Sequence, residues 1–252
     1  VCEGCGDCSK VSNCLSIEPL PTPWGTKRAI NQSTCNKDYS CLEGLCPSLV
    51  TVEEGDLLPA NSRVDRAALI AAVQNLPTPA FLIEPGHLDR RYAVLLNGVG
   101  GTGVVTIGAW MGMAAHLQGF SMLGLDMAGL AQKGGAVFSH LQIAPCGDML
   151  ASPRIPVGEV DLMIGGDLLT SSNPQTLELL SPDARVVVNL DTPPTADFIQ
   201  NSNWSAPQAT LNADVAHTLL QPAHQYQTLH AQHIAEQLLG DTVYANALLL
   251  GV

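Results

Sequence analysis

Apolar positions are distributed unevenly along the chain. Beyond position 90 they fall into short runs that end at glycines, and before it they are sparse and broken by proline. Residues 92–97 read YAVLLN and stop at Gly98, as expected of a strand buried on both faces. Residues 102–117 carry small and apolar side chains at helical spacing and predict a helix. A second strand is expected at 121–126, ending in an acid. Later apolar runs predict strands at 136–143, 160–165 and 185–190, with a helical segment at 174–180. Strands alternating with helices imply an α/β fold, a Rossmann-like, open and mostly parallel sheet.

The first 90 residues follow another rule. Residues 17–30 hold three prolines and a Trp24-Gly25 pair, expected as a loop or short hairpin. Val64, Ala67, Ala68, Ala71 and Ala72 recur at helical spacing and predict one short helix within 63–75. The stretch 77–86 contains Pro77, Pro79 and Pro85 and reads as extended linker. Three units are therefore expected: 1–55, a linker with a short helix at 56–91, and 92–252. The chain has no initiator Met and stays apolar to its last residue, so it is expected to be a piece of a longer protein, truncated within its last unit.

Charge and length limit the function classes. The net charge of −12 argues against nucleic acid, whose phosphates require Lys and Arg. No apolar run reaches the roughly 18–20 residues of a membrane helix, so no membrane is expected as a partner. After Lys37 the remaining lysine is Lys133, which makes its surroundings informative.

Seven of the eight cysteines lie between residues 2 and 46. Cys2, Cys5 and Cys8 are spaced C-x2-C-x2-C, followed by Cys14, Cys35, Cys41 and Cys46-Pro47. Disulfides suit an even count in a small secreted domain, which the odd number here does not match. Zinc ribbons use two C-x2-C knuckles, and the second is missing. A C-x2-C-x2-C run with a remote C-P matches the bacterial ferredoxin pattern. Three thiolates two residues apart can wrap one face of a [4Fe–4S] cubane, with Gly4, Gly6 and Ser9 keeping the turn tight. Cys2, Cys5, Cys8 and Cys46 are the expected ligands. Cys14, Cys35 and Cys41 could serve a second cluster with one ligand swapped or absent; one cluster or two stays open. Cys146, isolated, is expected to be a small core hydrophobe.

In the last unit, Gly98, Gly100, Gly101, Thr102 and Gly103 lie between the first strand and its helix. Glycines there let the backbone approach a ligand, and the helix N-terminus offers N–H groups to an anion. Asp126 stands where a ribose-binding acid would be expected. Gln132, Lys133, Gly134 and Gly135 form a second candidate site, where an ammonium beside two glycines could meet a phosphate or carboxylate. A Walker A reading fails, because no Lys-Ser or Lys-Thr follows the last glycine. Ser139 and His140 are read as packing residues. His230 and His233, three apart on a helix, are read as a solvated face rather than a metal pair. The rival overall reading is a nucleotide-binding module with a structural zinc knuckle.

Together the segments CEGCGDCSKVSNCLSIEPL, QSTCNKDYSCLEGLCPSLVTVEEG and NGVGGTGVVTIGAWMGMAAHLQGFSMLGLDMAGLAQKGGAVFSHLQIA resemble the C-terminal half of the long bacterial indolepyruvate ferredoxin oxidoreductases. The resemblance covers nearly all of residues 1–150 and, more loosely, the rest. It implies a 2-oxoacid oxidoreductase in which a thiamine-diphosphate centre decarboxylates the substrate. Iron–sulfur clusters would then pass electrons to ferredoxin, and coenzyme A would take the acyl group. Residues 92–252 look like that family's gamma domain. The G-D-G…N motif that holds thiamine diphosphate and Mg is missing. The resemblance therefore implies that this chain lacks catalytic residues of its own and acts with the remainder of its parent enzyme, as a homo-oligomer, in the cytoplasm.

Overall fold

A computed structural model describes residues 2–50, 54–55, 65–76, 88–129, 135–192, 198–199, 201 and 225–252. Near the amino end, helix α1 (Asp7–Ser12) precedes an antiparallel hairpin of β1 (Ile17–Thr22) and β2 (Gly25–Ile30). The expected loop or hairpin at 17–30 is thus a hairpin, closed between Thr22 and Gly25. Its core is small: Cys8, Cys14 and Ile17 are buried, with Ile30 and Cys41 against them. Helix α2 (Arg66–Gln74) follows, capped by Asp65, whose side chain accepts from the N–H groups of Ala67 and Ala68. Pro77 to Pro85 lie outside the described residues.

The second unit is a six-stranded sheet. Its strands are β3 (Tyr92–Val99), β4 (Ser121–Ala128), β5 (Ala136–Ala144), β6 (Val160–Gly165), β7 (Leu180–Asn189) and β8 (Gln225–Leu229), in the order β4-β5-β3-β6-β7-β8. Helix α3 (Val104–Leu117) follows β3. Short helices α4 (Leu168–Ser171) and α5 (Pro174–Leu177) follow β6, and α6 (Ala231–Leu239) and α7 (Ala245–Leu250) follow β8.

The period of two in β3 divides the core. Ala93 and Leu95 face one cluster with Met163, Leu168, Val186 and Val188. Val94 and Leu96 face the other, with Ile107 of α3, Ala235 of α6 and Leu249 of α7. Both faces of the central strands are therefore covered, which explains why they read as continuous apolar runs. Helix α3 approaches β5 closely because position 108 is glycine: a Cβ there would stand 2.8 Å from the Ser139 hydroxyl.

The topology departs from the expected parallel sheet. The pairs β3–β6, β6–β7 and β7–β8 are parallel, but β5 is antiparallel to both β3 and β4. The sheet is therefore mixed, because β5 returns directly from β4 and inserts beside β3. The boundaries also shift. β7 begins at Leu180, so the expected helix at 174–180 shortens to α5. β4 continues past Asp126 to Ala128. Cys146 is exposed rather than a core hydrophobe. Among the described residues, no helix is long and apolar enough to cross a membrane.

Candidate functional site

The amino-terminal cysteines are brought together by local turns. Gly4 and Gly6 have φ of 84° and 79°, a left-handed conformation that glycine adopts without strain. The Gly4 N–H lies 3.3 Å from the Cys2 sulfur. A Cβ on Gly4 would stand 2.5 Å from the Thr26 carbonyl oxygen, so the first cysteine loop rests directly on the hairpin. Lys27 reaches back over this loop and donates to the Glu3 carbonyl at 3.3 Å.

Two long-range ties organise the remaining thiols. Leu45 N–H donates to the Asp7 carboxylate at 3.2 Å, which holds the Cys46 segment against Cys8. Ser16 Oγ donates to the Thr34 carbonyl at 2.7 Å, which places Cys35 near Cys14. Burial pushes the Cys8 thiol up, and the neighbouring Cys46 and Cys2 add to the shift. Burial likewise raises Cys41, with Cys14 and Cys35 contributing. Cys2 and Cys46 are thus near enough to Cys8 to act on its charge, and Cys14 and Cys35 to Cys41. All eight cysteines are free thiols. Among the described residues no group of three or more His, Cys, Asp or Glu side chains is arranged to hold a metal ion. Cysteine sulfur, once deprotonated, is the soft donor that iron–sulfur clusters take.

The glycine-rich turn lies in a cleft of about 1260 Å³. The chain leaves β3 toward β4 and β5 on one side, while β6, β7 and β8 extend the sheet on the other. The order reverses between β3 and β6, and an open α/β sheet binds ligands in the crevice at that point. Two loops meet there. Gly166 N–H donates to the Asn97 carbonyl at 2.7 Å, and a Cβ on Gly166 would be 3.2 Å from the same oxygen. Thr102 Oγ1 donates to the Val99 carbonyl at 2.7 Å and tightens the turn. Gly101 has φ of 93° with open space around its α-carbon, and Gly103, at φ 83°, starts α3 with no side-chain cap. Asn246 of α7 packs directly on Gly103.

Below the glycines runs a buried polar network. Asp167 is fully buried. Its carboxylate accepts from Val99 N–H at 2.7 Å, from Thr170 N–H at 2.8 Å and from Thr170 Oγ1 at 2.9 Å. Burial pushes this carboxyl up, and the bonds from Thr170, Val99 and Leu169 pull against that. Asn189, at the end of β7, donates to the Gly166 carbonyl at 3.0 Å and accepts from Ala231 N–H at 2.9 Å. Asp191 accepts from Gln232 N–H at 2.8 Å and lies 2.9 Å from His230 Nδ1.

The predicted site residues separate accordingly. Gly100, Gly101, Thr102, Gly103 and Gly135 line the cleft. Gly98 lies just beneath it: a Cβ there would meet Val104 at 2.7 Å and Thr102 at 2.9 Å. Gln132, Lys133 and Gly134 lie outside the described residues, but Gly129 and Gly135 on either side of them line the cleft. Asp126 is elsewhere. It is exposed on the edge strand β4, paired with Ser139 of β5 and separated from β3 by that strand. The position next to β3 is taken by β5. His230 and His233 do not form a pair: His233 lies 2.8 Å from Gln237, while His230 meets Asp191. Ser139 and His140 are buried. Asp167, Asn189 and Asp191 were not anticipated. The available signal was an acid or amide closing each strand, as in Gly165-Gly166-Asp167 with Thr170 three residues on, a helix-capping pattern.

Comparison with known proteins adds to this geometry. Indolepyruvate oxidoreductase subunit IorB of Methanothermobacter thermautotrophicus is 26% identical over 160 residues, covering 64% of this chain and 76% of that protein. The IorB subunit of Archaeoglobus fulgidus is 38% identical over 74 residues, or 29% of this chain and 35% of that protein. Among solved structures, pyruvate oxidoreductase subunit PORC of Thermotoga maritima aligns with a TM-score of 0.43 at 17% identity, covering 65% of this chain and 74% of that one. The 2-oxoglutarate:ferredoxin oxidoreductase of Magnetococcus marinus, with 2-oxoglutarate, coenzyme A and succinyl-CoA bound, aligns at 0.45 with 12% identity, covering 65% and 24%. Residues 93–252 match the family described as pyruvate ferredoxin/flavodoxin oxidoreductase. That match spans well over half of the sequence, and the chain belongs to this family.

Proposed function

We propose that the chain is the electron-relay and gamma-domain part of a 2-oxoacid:ferredoxin oxidoreductase of the indolepyruvate type. It would work with thiamine-diphosphate domains elsewhere in the enzyme, which oxidatively decarboxylate the oxoacid, and with ferredoxin as the electron acceptor. The observation that carries this reading is the pairing of two sites. A thiolate-rich unit precedes a gamma-type sheet, and its segment 15–36 forms one wall of the cleft whose other wall is the glycine turn.

Cys2, Cys5, Cys8 and Cys46 would hold a [4Fe–4S] cluster, which when bound takes up and passes on single electrons. Cys14, Cys35 and Cys41 form the candidate ligand set for a second. The chain's own residues supply the surroundings. The Gly4 N–H stands at hydrogen-bond distance from the Cys2 sulfur, and such bonds stabilise negative charge on sulfur and raise a cluster's potential. Lys27 adds positive charge over the same loop. In the cleft, the glycine turn offers backbone N–H groups to the diphosphate of coenzyme A.

Iron and acid-labile sulfide analysis of anaerobically prepared protein tests the proposal. About four irons per cluster are expected, with a brown colour bleached by dithionite. A colourless protein with stoichiometric zinc would favour the metal-knuckle alternative and defeat this one.

A further inference from the structure

We propose that His230, held by Asp191, is the cationic contact of the cleft for a phosphate group of its ligand. The proposal rests on the reading of this cleft as a coenzyme A site. Among the described residues that line it there is no Lys or Arg, and His230 alone can carry a positive charge. Its ring is fixed on one side only. Nδ1 lies 2.9 Å from Asp191 Oδ1. A carboxylate can only accept there, so Nδ1 carries a proton. Nε2 has no protein partner among the described residues, and the side chain is 58% exposed. The ring therefore has one nitrogen open, and in its imidazolium form that nitrogen donates its N–H to a phosphate oxygen with the Asp191 carboxylate behind it.

The acids of the cleft point the same way. Asp191 has both oxygens engaged, Oδ1 with His230 and Oδ2 with the Gln232 N–H. Glu18, on the opposite wall, accepts from Asn31 Nδ2 at 2.9 Å. Asp126 lies on β4, with β5 between it and β3. The cleft thus offers a nucleotide an imidazole backed by an acid and a backbone anion seat. That combination suits a phosphate group.

Calorimetric titration of the full protein with coenzyme A, and separately with inorganic diphosphate, tests this. His230→Gln is expected to weaken both by about tenfold, the usual effect of losing a hydrogen bond to a charged group. His230→Lys, which restores a cation without the ring, is expected to recover most of the loss. A purely structural role would not be rescued in this way. Thermal melts establish that each variant is folded. Equal affinity of His230→Gln and the parent, or a loss that folded His230→Lys does not recover, overturns the proposal. His230-dependent binding of diphosphate without binding of coenzyme A would support the phosphate contact and sink the coenzyme A reading. Binding of neither probe would sink both.

Discussion

Asp167 shows how one side chain sets the shape of the cleft. Its carboxylate joins the end of β3, through Val99 N–H, to the start of α4, through Thr170. Without it, three buried donors, the N–H groups of Val99 and Thr170 and the Thr170 hydroxyl, would lose their partner, at a cost of about 1–3 kcal/mol each. Burial raises the carboxyl above its ordinary 3.8. The folded state therefore holds the proton more tightly than the unfolded chain. The resulting stability is complete below pH 3.8 and is lost as pH rises through the raised value. Asp167→Asn cannot ionise. The unfolding free energy of the parent minus that of Asp167→Asn, measured in urea from pH 4 to 7, is expected to fall as pH rises. A flat difference would show that the carboxyl is not the titrating group.

At the level of elements, what the sequence made legible depended on local signals. β6 occupies Val160–Gly165 as read, because an apolar run stops at a glycine pair. α3 lacks its first two expected residues, because Gly103 at φ 83° serves as the cap rather than the first turn. The glycine turn was legible for the same local reason. Sheet order was not, because nothing in residues 121–144 announces that β5 inserts between β4 and β3. That one insertion puts β5 between Asp126 and β3. The contact between His230 and Asp191 joins residues 39 apart, a separation no spacing rule reaches. β5 carries a second testable element. His140 Nδ1 accepts from Ile155 N–H at 3.1 Å and so pins the segment after β5 to the sheet. An acceptor nitrogen must be unprotonated, and burial, with Arg154 nearby, lowers this imidazole below 6.5. Its contribution is fully present above pH 6.5 and is lost as pH falls through the lowered value. Stability is expected to drop on acidification through that range in the parent. The drop attributable to this site should vanish in His140→Gln, as read by chemical denaturation.

Across the whole molecule, the two units are stabilised by different means. The sheet has two extensive apolar clusters around β3, β6 and β7. The cysteine unit buries only Cys8, Cys14 and Ile17, with Ile30 and Cys41 beside them. Roughly 50 residues with so little apolar core usually need a metal or cross-link to fold. If the thiolates hold iron–sulfur clusters, much of that unit's folding free energy is metal-binding free energy. Arg28 of β2 stacks over the buried Phe198 ring at 4.5 Å, a cation–π contact contributing about 0.5–2 kcal/mol. Removal of iron by anaerobic chelation is therefore expected to act locally. Hydrogen exchange followed by mass spectrometry should show protection lost across residues 2–46, while the amides of β3, β6 and β7 exchange as slowly as before. Equal loss in both units would mean that the cysteine unit helps to hold the sheet together. Unchanged protection in both would mean that the hairpin folds without metal, and the proposed role of the thiolates would fail with it.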